Sequence, residues 1–206
     1  MKYLIFDTEH GGFGTQSTLL TASFIMADED LRPIDKLNLK LKPLPHDGTY
    51  HVTAEALAVN KIDLVIHNLE AETYSEGREK LKRFLKKHTD KQRLSPTIGC
   101  GNTEVPEWFT ERVTPVGHNV AGDIAIIKAQ LLPNWEKYVS YRVLDTVTIA
   151  RFLILTGTLP DTVGASLKKL ASHFNIQYAA HDAAEDAYAT LESLRHMRNL
   201  LCQKSE

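Results

Sequence analysis

The 206-residue sequence contains few of the features that mark several classes of protein. Its two cysteines, Cys100 and Cys202, lie far apart and lack the spacing of a metal site, which gives no disulfide framework and favours a reducing compartment. A formal net charge of −2 argues against bulk electrostatic adhesion to polyanions or to anionic membranes. No apolar run approaches the ~18 residues of a membrane span, and the first residues do not form a basic segment followed by a long apolar one. We therefore expect a cytoplasmic protein without a membrane partner.

The order of hydrophobic patterns along the chain predicts one α/β domain over residues 1–206. The apolar run YLIF, the run LLTASFIM and the alternating IDKLNLKLK predict a meander of three strands. The segments VTPVGHNVAGDIAIIKAQLL and YRVLDTVTIARFLIL each combine a short strand, a turn and a helix, and further helices follow. Strands followed by alternating strand and helix units predict a mixed sheet with helices packed against it. Prolines and glycines interrupt the pattern around residues 90–113, which predicts an irregular insertion.

Residues 74–88 predict a helix with two different faces. Leu81, Phe84, Leu85 and His88 recur at helical spacing on one side, and lysines and an arginine occupy much of the remainder. The basic face is either a solvated surface, which we favour, or a track for phosphates.

Two carboxylates stand where the first strand ends. Asp7 and Glu9 are two residues apart in an extended segment, so their side chains leave the same face of the strand. Neighbouring acids repel each other and raise the pKa of one of them unless a cation compensates, and an oxygen-seeking ion such as Mg²⁺ or Mn²⁺ is the natural compensation. The alternative is a strand that ends in solvent with two hydrated acids.

A third carboxylate, Asp123, belongs to the segment GDIAIIKAQLL. Ile126 and Ile127 follow it at helical spacing, so Asp123 lies near the inward, apolar stripe of its helix. An inward carboxylate needs a partner. The alternative is an acid in the first helical turn that is favoured there by the helix dipole.

The segment HDAAEDA places a histidine beside an acid at the start of a helix. Asp182 and Glu185 resemble a capping box with Asp182 as the N-cap, which puts His181 and Asp186 at the two positions that a hydrophobic staple brings together. Histidine exchanges a proton readily near neutral pH. A pair that merely decorates a helix start is the alternative. Together, four carboxylates and one imidazole are the set required for two-metal hydrolysis of a phosphodiester.

These motifs resemble those of a known enzyme family. FDTE, GHNVAGD and HDAAED stand in the order and approximate placement found in the DEDDh 3′→5′ exonucleases, the superfamily that includes DnaQ-like proofreading subunits. The resemblance covers about residues 2–200, and His181, five residues before Asp186, is similar to the His-type subgroup. It implies a ribonuclease H-like fold, with a five-stranded mixed sheet flanked by helices.

The resemblance also implies a mechanism and a substrate. Asp7 would bridge two divalent cations, Mg²⁺ or Mn²⁺, Glu9 and Asp186 would hold the ion that activates water, and Asp123 would serve the second ion. His181 would be the general base. The partner would be single-stranded nucleic acid with a free 3′ end, with DNA favoured over RNA, and the product a nucleoside 5′-monophosphate. A polymerase or replication partner is also implied.

Two positions depart from the family pattern. His10 stands where many relatives have threonine, which places the usual contact to the terminal nucleotide in question. Gly122 replaces a bulky residue before Asp123, which predicts a wider site on that side.

Other residues near the motifs are candidates for contact with substrate. Phe13, in the turn GGFG, either stacks on a terminal base or folds back on the domain. His118 and Asn119 either touch the substrate backbone or, for Asn119, cap the following helix.

Three other functions compete with an exonuclease acting on single-stranded DNA. An RNA-trimming exonuclease would use the same chemistry, and no residue of the sequence identifies a 2′-hydroxyl contact unambiguously. A non-catalytic nucleic-acid-binding or polymerase-docking module would have no need for all five of Asp7, Glu9, Asp123, His181 and Asp186. A small-molecule phosphodiesterase would need an enclosed site.

Overall fold

The computed structural model describes residues 1–43, 48–89, 91–93, 108–110 and 112–202. The strands in these ranges are β1 (Tyr3–His10), β2 (Leu19–Ala27), β3 (Pro33–Lys42), β4 (Glu72–Thr73), β5 (Lys91–Arg93), β6 (Trp108–Thr110), β7 (Thr114–Gly117) and β8 (Leu144–Asp145). The α-helices are α1 (Ala54–Asn60), α2 (Leu64–Glu70), α3 (Tyr74–His88), α4 (Ala121–Ile126), α5 (Thr146–Leu155), α6 (Leu167–His173) and α7 (Ala183–Cys202).

Six of the strands form one mixed sheet in the order β4-β3-β2-β1-β7-β8. The meander β1-β2-β3 is antiparallel, whereas β7 joins β1, β8 joins β7 and β4 joins β3 in parallel. The predicted fold class is therefore confirmed, and the sheet has one strand more than the five expected. The additional strand is β4, whose two residues are too few to show any hydrophobic period.

Strand β1 is buried on both faces and separates two parts of the core. Leu4 and Phe6 face the side on which α3 and α4 pack, whereas Ile5 faces α7 on the other side. The sheet register holds β1 between β2 and β7, so its apolar run cannot slip without exposing one of these faces. The alternation continues through residues 7–9 and decides where each of their side chains points.

Several helices begin at the capping residues that the sequence indicates. The side chain of Thr53 accepts from Ala56 N at the start of α1, and that of Asp145 accepts from Val147 N at the start of α5. Helix α3 begins at Thr73 with a complete capping box. Its predicted inward side chains, Leu81, Phe84, Leu85 and His88, are all buried.

The helix that carries Asp123 changes its winding after Ile126. Residues Ile127–Leu131 form a π-helical turn in which Leu132 N donates to Ile127 O at 2.7 Å, five residues back. The sequence predicts a single regular helix here, because a π turn leaves no distinctive residue pattern. A 3₁₀ turn at Trp135–Lys137 follows, and both Trp135 and Tyr138 are buried in the core.

The predicted insertion around residues 90–113 contains a small sheet of its own. Strands β5 and β6 pair antiparallel, and the remaining residues up to 107, together with residue 111, lie outside the described ranges. Among the described residues, no helix is both long enough and apolar enough to cross a membrane.

Candidate active site

The carboxyl end of β1 carries Asp7 and Glu9 toward α7. Both have the same strand parity as Ile5, which packs against Ala187 and Leu191 of α7, so the two acids share the face that the sequence predicts. A register shift between Glu9 and His10 then ends the regular pairing with β2. The acids therefore lie at the last regular positions of a strand whose backbone is fixed on both sides.

Thr8 points to the opposite face, where it meets Asp123 in the first turn of α4. The Thr8 backbone N–H donates to Asp123 Oδ1 at 3.1 Å, and the Thr8 hydroxyl donates to the same oxygen. The partner that an inward carboxylate needs is thus supplied by the strand that carries Asp7 and Glu9. Because side chains alternate along the strand, Asp7 and Glu9 lie on one face of β1. Thr8, between them in sequence, holds the third carboxylate, Asp123, on the other face.

The entrance of α7 supplies the fourth acid and the imidazole. Asp182 Oδ1 accepts from the N–H groups of Ala184 and Glu185 at 2.9 and 3.1 Å, which confirms Asp182 as the N-cap. Glu185 accepts from Ala179 N at 3.3 Å instead of completing the predicted box. The backbone N–H of His181 donates to Asp186 Oδ2 at 3.1 Å, so residues 181 and 186 do meet, through the backbone of the histidine.

Asp7, Glu9, Asp123 and Asp186, which we call the acidic cluster, repel one another. Burial, followed by repulsion from Asp123 and Asp186, raises the pKa of Asp7 well above its usual range. Burial and the charge of Asp186 raise the pKa of Glu9 to about 7. Burial likewise raises the pKa of Asp186 to about 6 and that of Asp123, although hydrogen bonds from His181 and Thr8 oppose these two shifts.

The acidic cluster has the donor chemistry of a divalent-metal site. Glu9, His181 and Asp186 each have one potential ligand atom, and these three atoms lie within 4.8 Å of one another. This separation is close to the ~4.2 Å between opposite ligands of one Mg²⁺. Mg²⁺ and Mn²⁺ prefer the oxygen ligands that dominate the cluster, and a bound cation would relieve the repulsion that raises the pKa values. The residues present therefore fit such ions.

His118 and Asn119 occupy the turn between β7 and α4. His118 Nδ1 lies 2.9 Å from Thr146 Oγ1, which itself donates to Gly117 O, so Nδ1 is the protonated nitrogen. Burial lowers the pKa of His118. Asn119 has a positive φ of 60° and its N–H donates to Asp145 Oδ1, whereas the N-cap of α4 is Val120. The prediction that Asn119 caps the helix is therefore wrong, and its side chain is exposed.

Residues 11–18, the Gly-rich loop, follow β1 beside the acidic cluster. His10 Nδ1 contacts Gly12 O, which ties the side chain of His10 to this loop. Phe13 is fully exposed at the loop's tip, so the interpretation that it folds back on the domain is wrong. A Cβ at Gly122 would meet no heavy atom within 4 Å, in agreement with the open side expected there.

Two residues near the site, Thr8 and Tyr178, are not among the site residues predicted from the sequence. Thr8 holds Asp123, and its place between two acids, on the other strand face, was a usable signal. Tyr178 is half-buried, and burial together with the charges of Asp186 and Asp7 raises the pKa of its phenol. Nothing in the pattern around Tyr178 indicates this position, because it lies in an irregular segment before α7.

The basic face of α3 is largely neutralised by carboxylates. Lys80, Lys82 and Lys87 form ion pairs with Glu72, Glu79 and Asp35 at 2.6, 2.7 and 2.8 Å. Paired cations are poorly available to phosphates, which favours the solvated-surface interpretation of this helix.

Solved structures of other proteins have a fold similar to that of this chain. No protein-family model and no curated protein matches the sequence. Exonuclease I of E. coli in complex with a dT13 oligonucleotide matches with a TM-score of 0.72 and 16% identity over 98% of this chain and 42% of that chain. A moderately thermophilic exonuclease I from Methylocaldum szegediense gives 0.70 and 18%, over 96% and 40%. The zinc-bound form of the E. coli exonuclease I complex with single-stranded DNA gives 0.68 and 16%, over 96% and 40%.

The chain thus spans about two fifths of the length of these exonuclease I chains. Within that span the match covers almost the whole of the present chain. The chain has the fold of exonuclease I.

Proposed function

We propose that this chain is a metal-dependent 3′→5′ exonuclease that shortens single-stranded DNA. The observation that carries the proposal is the convergence of four carboxylates from β1, α4 and α7 beside His181. The fold supports it, because the exonuclease I structures of the same fold include complexes with DNA oligonucleotides. Those complexes also favour DNA over RNA as the polymer to test first.

The acidic cluster would hold two divalent cations, Mg²⁺ or Mn²⁺. When bound, the ions would neutralise the cluster and stabilise the charge on the attacking and leaving oxygens of an in-line displacement at phosphorus. Asp7 is central to this role, since its charge interacts with those of Asp123, Asp186 and Glu9. Thr8 orients Asp123 from the other face of β1.

His181 would be the general base that takes a proton from the attacking water. Its imidazole is exposed at the entrance of α7, while its backbone N–H is tied to Asp186. A proton acceptor is thereby held next to a proposed metal ligand and remains accessible to solvent. The water oxygen would bond to phosphorus as the bond from phosphorus to the 3′ oxygen of the preceding nucleotide breaks. A nucleoside 5′-monophosphate would leave, and the 3′ oxygen would take a proton from solvent to become the new 3′-hydroxyl.

Four further residues would contact the strand. Phe13 presents an aromatic surface to a base, and stacking of this kind does not depend on sequence. His10, His118 and Asn119 lie around the same end of the sheet, where β1 and β7 finish. The open space beside Gly122 would admit the strand on that side of the site.

The test is the digestion of single-stranded DNA and RNA of equal length, labelled at either end, with Mg²⁺, Mn²⁺ or EDTA. The wild type is compared with Asp7→Asn and His181→Ala. The matched controls are Asp161→Asn and His173→Ala, which change exposed residues of the same types outside the acidic cluster. We expect stepwise shortening from the 3′ end of DNA that requires a divalent cation and is lost in the first two variants only.

Other results would redirect the assignment. Faster shortening of RNA would support the exoribonuclease alternative. Binding of the strand without shortening under any metal condition would contradict the exonuclease proposal and favour a binding module. Equal loss in the control variants would show that the acidic cluster has no special role.

A further inference from the structure

Gln130 makes four hydrogen bonds with its side-chain amide. Its Oε1 accepts from Leu19 N at 2.9 Å and from Tyr74 Oη at 2.9 Å, whose single proton is shared with Leu19 O at 3.0 Å. Its Nε2 donates to Thr15 O at 2.8 Å and to Ser17 O at 2.6 Å. Both donor hydrogens and both acceptor lone pairs are thus used, which is the full capacity of an amide. Three of the four partners lie in the Gly-rich loop or at its junction with β2.

The Gly-rich loop is held at several further points. Its ends are joined by Gly11 N, which donates to Thr18 O at 2.8 Å. Within it, Ser17 Oγ bonds Gly14 O at 2.8 Å and Gly12 O at 3.1 Å. A Cβ at Gly11 would approach His51 O to 2.5 Å, so this loop packs closely against the segment before α1. The backbone that carries Phe13 at the tip of this loop is therefore held in place, while the ring itself is fully exposed.

Gln130 reaches the loop from the helix that carries Asp123. It lies in the π-helical turn Ile127–Leu131, directly after α4. A π turn adds a residue to the helical repeat and so rotates the side chains that follow it, and such turns occur frequently at functional sites. One continuous helical segment therefore contacts β1 through Asp123 and the Gly-rich loop through Gln130.

We propose that Gln130 is a positioning residue that fixes the Gly-rich loop so that Phe13 stacks on a base at the 3′ end of the bound strand. This inference rests on the proposed exonuclease function and names the means by which the strand end is placed. Because an aromatic ring stacks on any base, the platform would hold the end of the strand without a sequence preference. Gln130 itself would touch no nucleotide and would act through Phe13.

The test compares Phe13→Ala, Gln130→Met and the double variant. Dissociation constants for a 5′-fluorescent oligothymidine are measured by anisotropy in an Asp7→Asn background, and KM and kcat in the otherwise wild-type chain. We expect Phe13→Ala to raise the dissociation constant and KM at least about fivefold, the loss of one stacked base. Gln130→Met should also raise the dissociation constant and KM, and it should change kcat less than about twofold. In the double variant, Gln130→Met should add almost nothing, because its effect passes through Phe13.

Tyr74→Phe is the matched control, since it removes the contacts of the Tyr74 hydroxyl with Gln130 Oε1 and Leu19 O and leaves both contacts from Gln130 Nε2 to the loop. It should leave KM unchanged. If Gln130→Met does not fold, Ser17→Ala replaces it, because Ser17 Oγ braces the same loop from within.

The outcomes separate this inference from the proposed function. Normal shortening by the wild type, with a dissociation constant unchanged in Gln130→Met, would overturn the role of Gln130 alone. So would equal effects of Gln130→Met with and without Phe13, or an equal rise of KM in Tyr74→Phe. If the wild type shortens no strand and the Asp7→Asn form binds none, both proposals are overturned.

Discussion

Carboxylates in two regions of this molecule have opposite electrostatic surroundings. On the surface beside α3, Asp35 accepts hydrogen bonds from Lys87 and His88, both at 2.8 Å, and these bonds lower its pKa to about 2. At the end of β1, burial and neighbouring acids raise the pKa of Glu9 to about 7. Across the part of the chain that the structure describes, no lysine or arginine forms an ion pair with the acidic cluster.

The contrast shows that the chain has cations available and does not place them at the acidic cluster. Pairing stabilises the folded state at Asp35, whereas the acidic cluster costs stability until a cation binds from solution. Such strain is typical of a functional site and has no structural benefit of its own. The predictions below test this contrast, beginning with the largest effect.

The largest effect is expected from Asp7→Asn. Loss of this proposed metal ligand should lower nuclease activity by more than about 100-fold, because even residues that only orient metal ligands contribute 10- to 100-fold. The same substitution removes a repelled charge, so in EDTA at pH 8 the variant should melt above the wild type, by about 2–4 °C for each kcal/mol gained. Nuclease assays and thermal denaturation measure the two effects. A variant that stays active, or that melts lower in EDTA, would contradict the account.

Thr8→Val should have the next largest effect. The substitution removes the hydroxyl that donates to Asp123 and keeps the shape of the side chain. We expect activity and Mn²⁺ affinity to fall by about tenfold or more, as for other groups that orient a metal ligand. Thr148→Val, at an exposed position of α5, is the control and should change neither. An equal loss in the two variants would show that the contact to Asp123 is unimportant.

The pH dependence of stability should have opposite signs in the two regions. Glu9 and Asp186 have folded-state pKa values of about 7 and 6, above their unfolded values of 4.5 and 3.8. Their cost to stability is therefore absent below about pH 4 and complete above about pH 7. Without metal, the melting temperature should fall over this range, and Glu9→Gln should flatten the fall. The stabilisation by Mn²⁺ should increase over the same range, since protons compete with the metal. A melting temperature that rises with pH in wild type and variant alike would oppose this assignment.

The smallest effect is expected from Asp35→Asn. The folded-state pKa of Asp35 is about 2, below its unfolded value of 3.8, so its stabilisation is present above pH 4 and is lost as the pH falls toward 2. Because the side chain is partly exposed, we expect a loss of only about 0.5–1 kcal/mol at pH 7, or ~1–4 °C. Nuclease activity should not change. Thermal denaturation at pH 7 and pH 2.5 measures the effect, and a difference that is as large at pH 2.5 as at pH 7 would contradict it.

The residues brought together at the site were accessible from sequence because local rules place each of them. Strand parity puts Asp7 and Glu9 on one face, and the capping preference of Asp182 sets the start of α7. Those rules need no knowledge of distant contacts. The resemblance of the three motifs then indicated that the segments meet, which periodicity alone does not determine.

The features that were missed depend on contacts between distant segments or on unusual backbone geometry. Asn119 adopts a left-handed conformation, which is stabilised by the hydrogen bond from its N–H to the side chain of Asp145, 26 residues later. Gln130 is 111 residues from Leu19 in sequence, and the π turn that directs its side chain toward Leu19 leaves no recognisable sequence pattern. The two-residue strand β4 likewise exists because β3 offers it an edge. Patterns within a short window contain no information on such partners.

The central claim is that the acidic cluster takes its missing positive charge from divalent cations. Its most direct test is a calorimetric titration of the metal-free protein with Mn²⁺ at pH 8, in parallel with Asp7→Asn. We predict two bound ions in the wild type and the loss of at least one in the variant, since Asp7 interacts with every other member of the cluster. No binding to the wild type, or equal stoichiometry and affinity in both proteins, would contradict the claim.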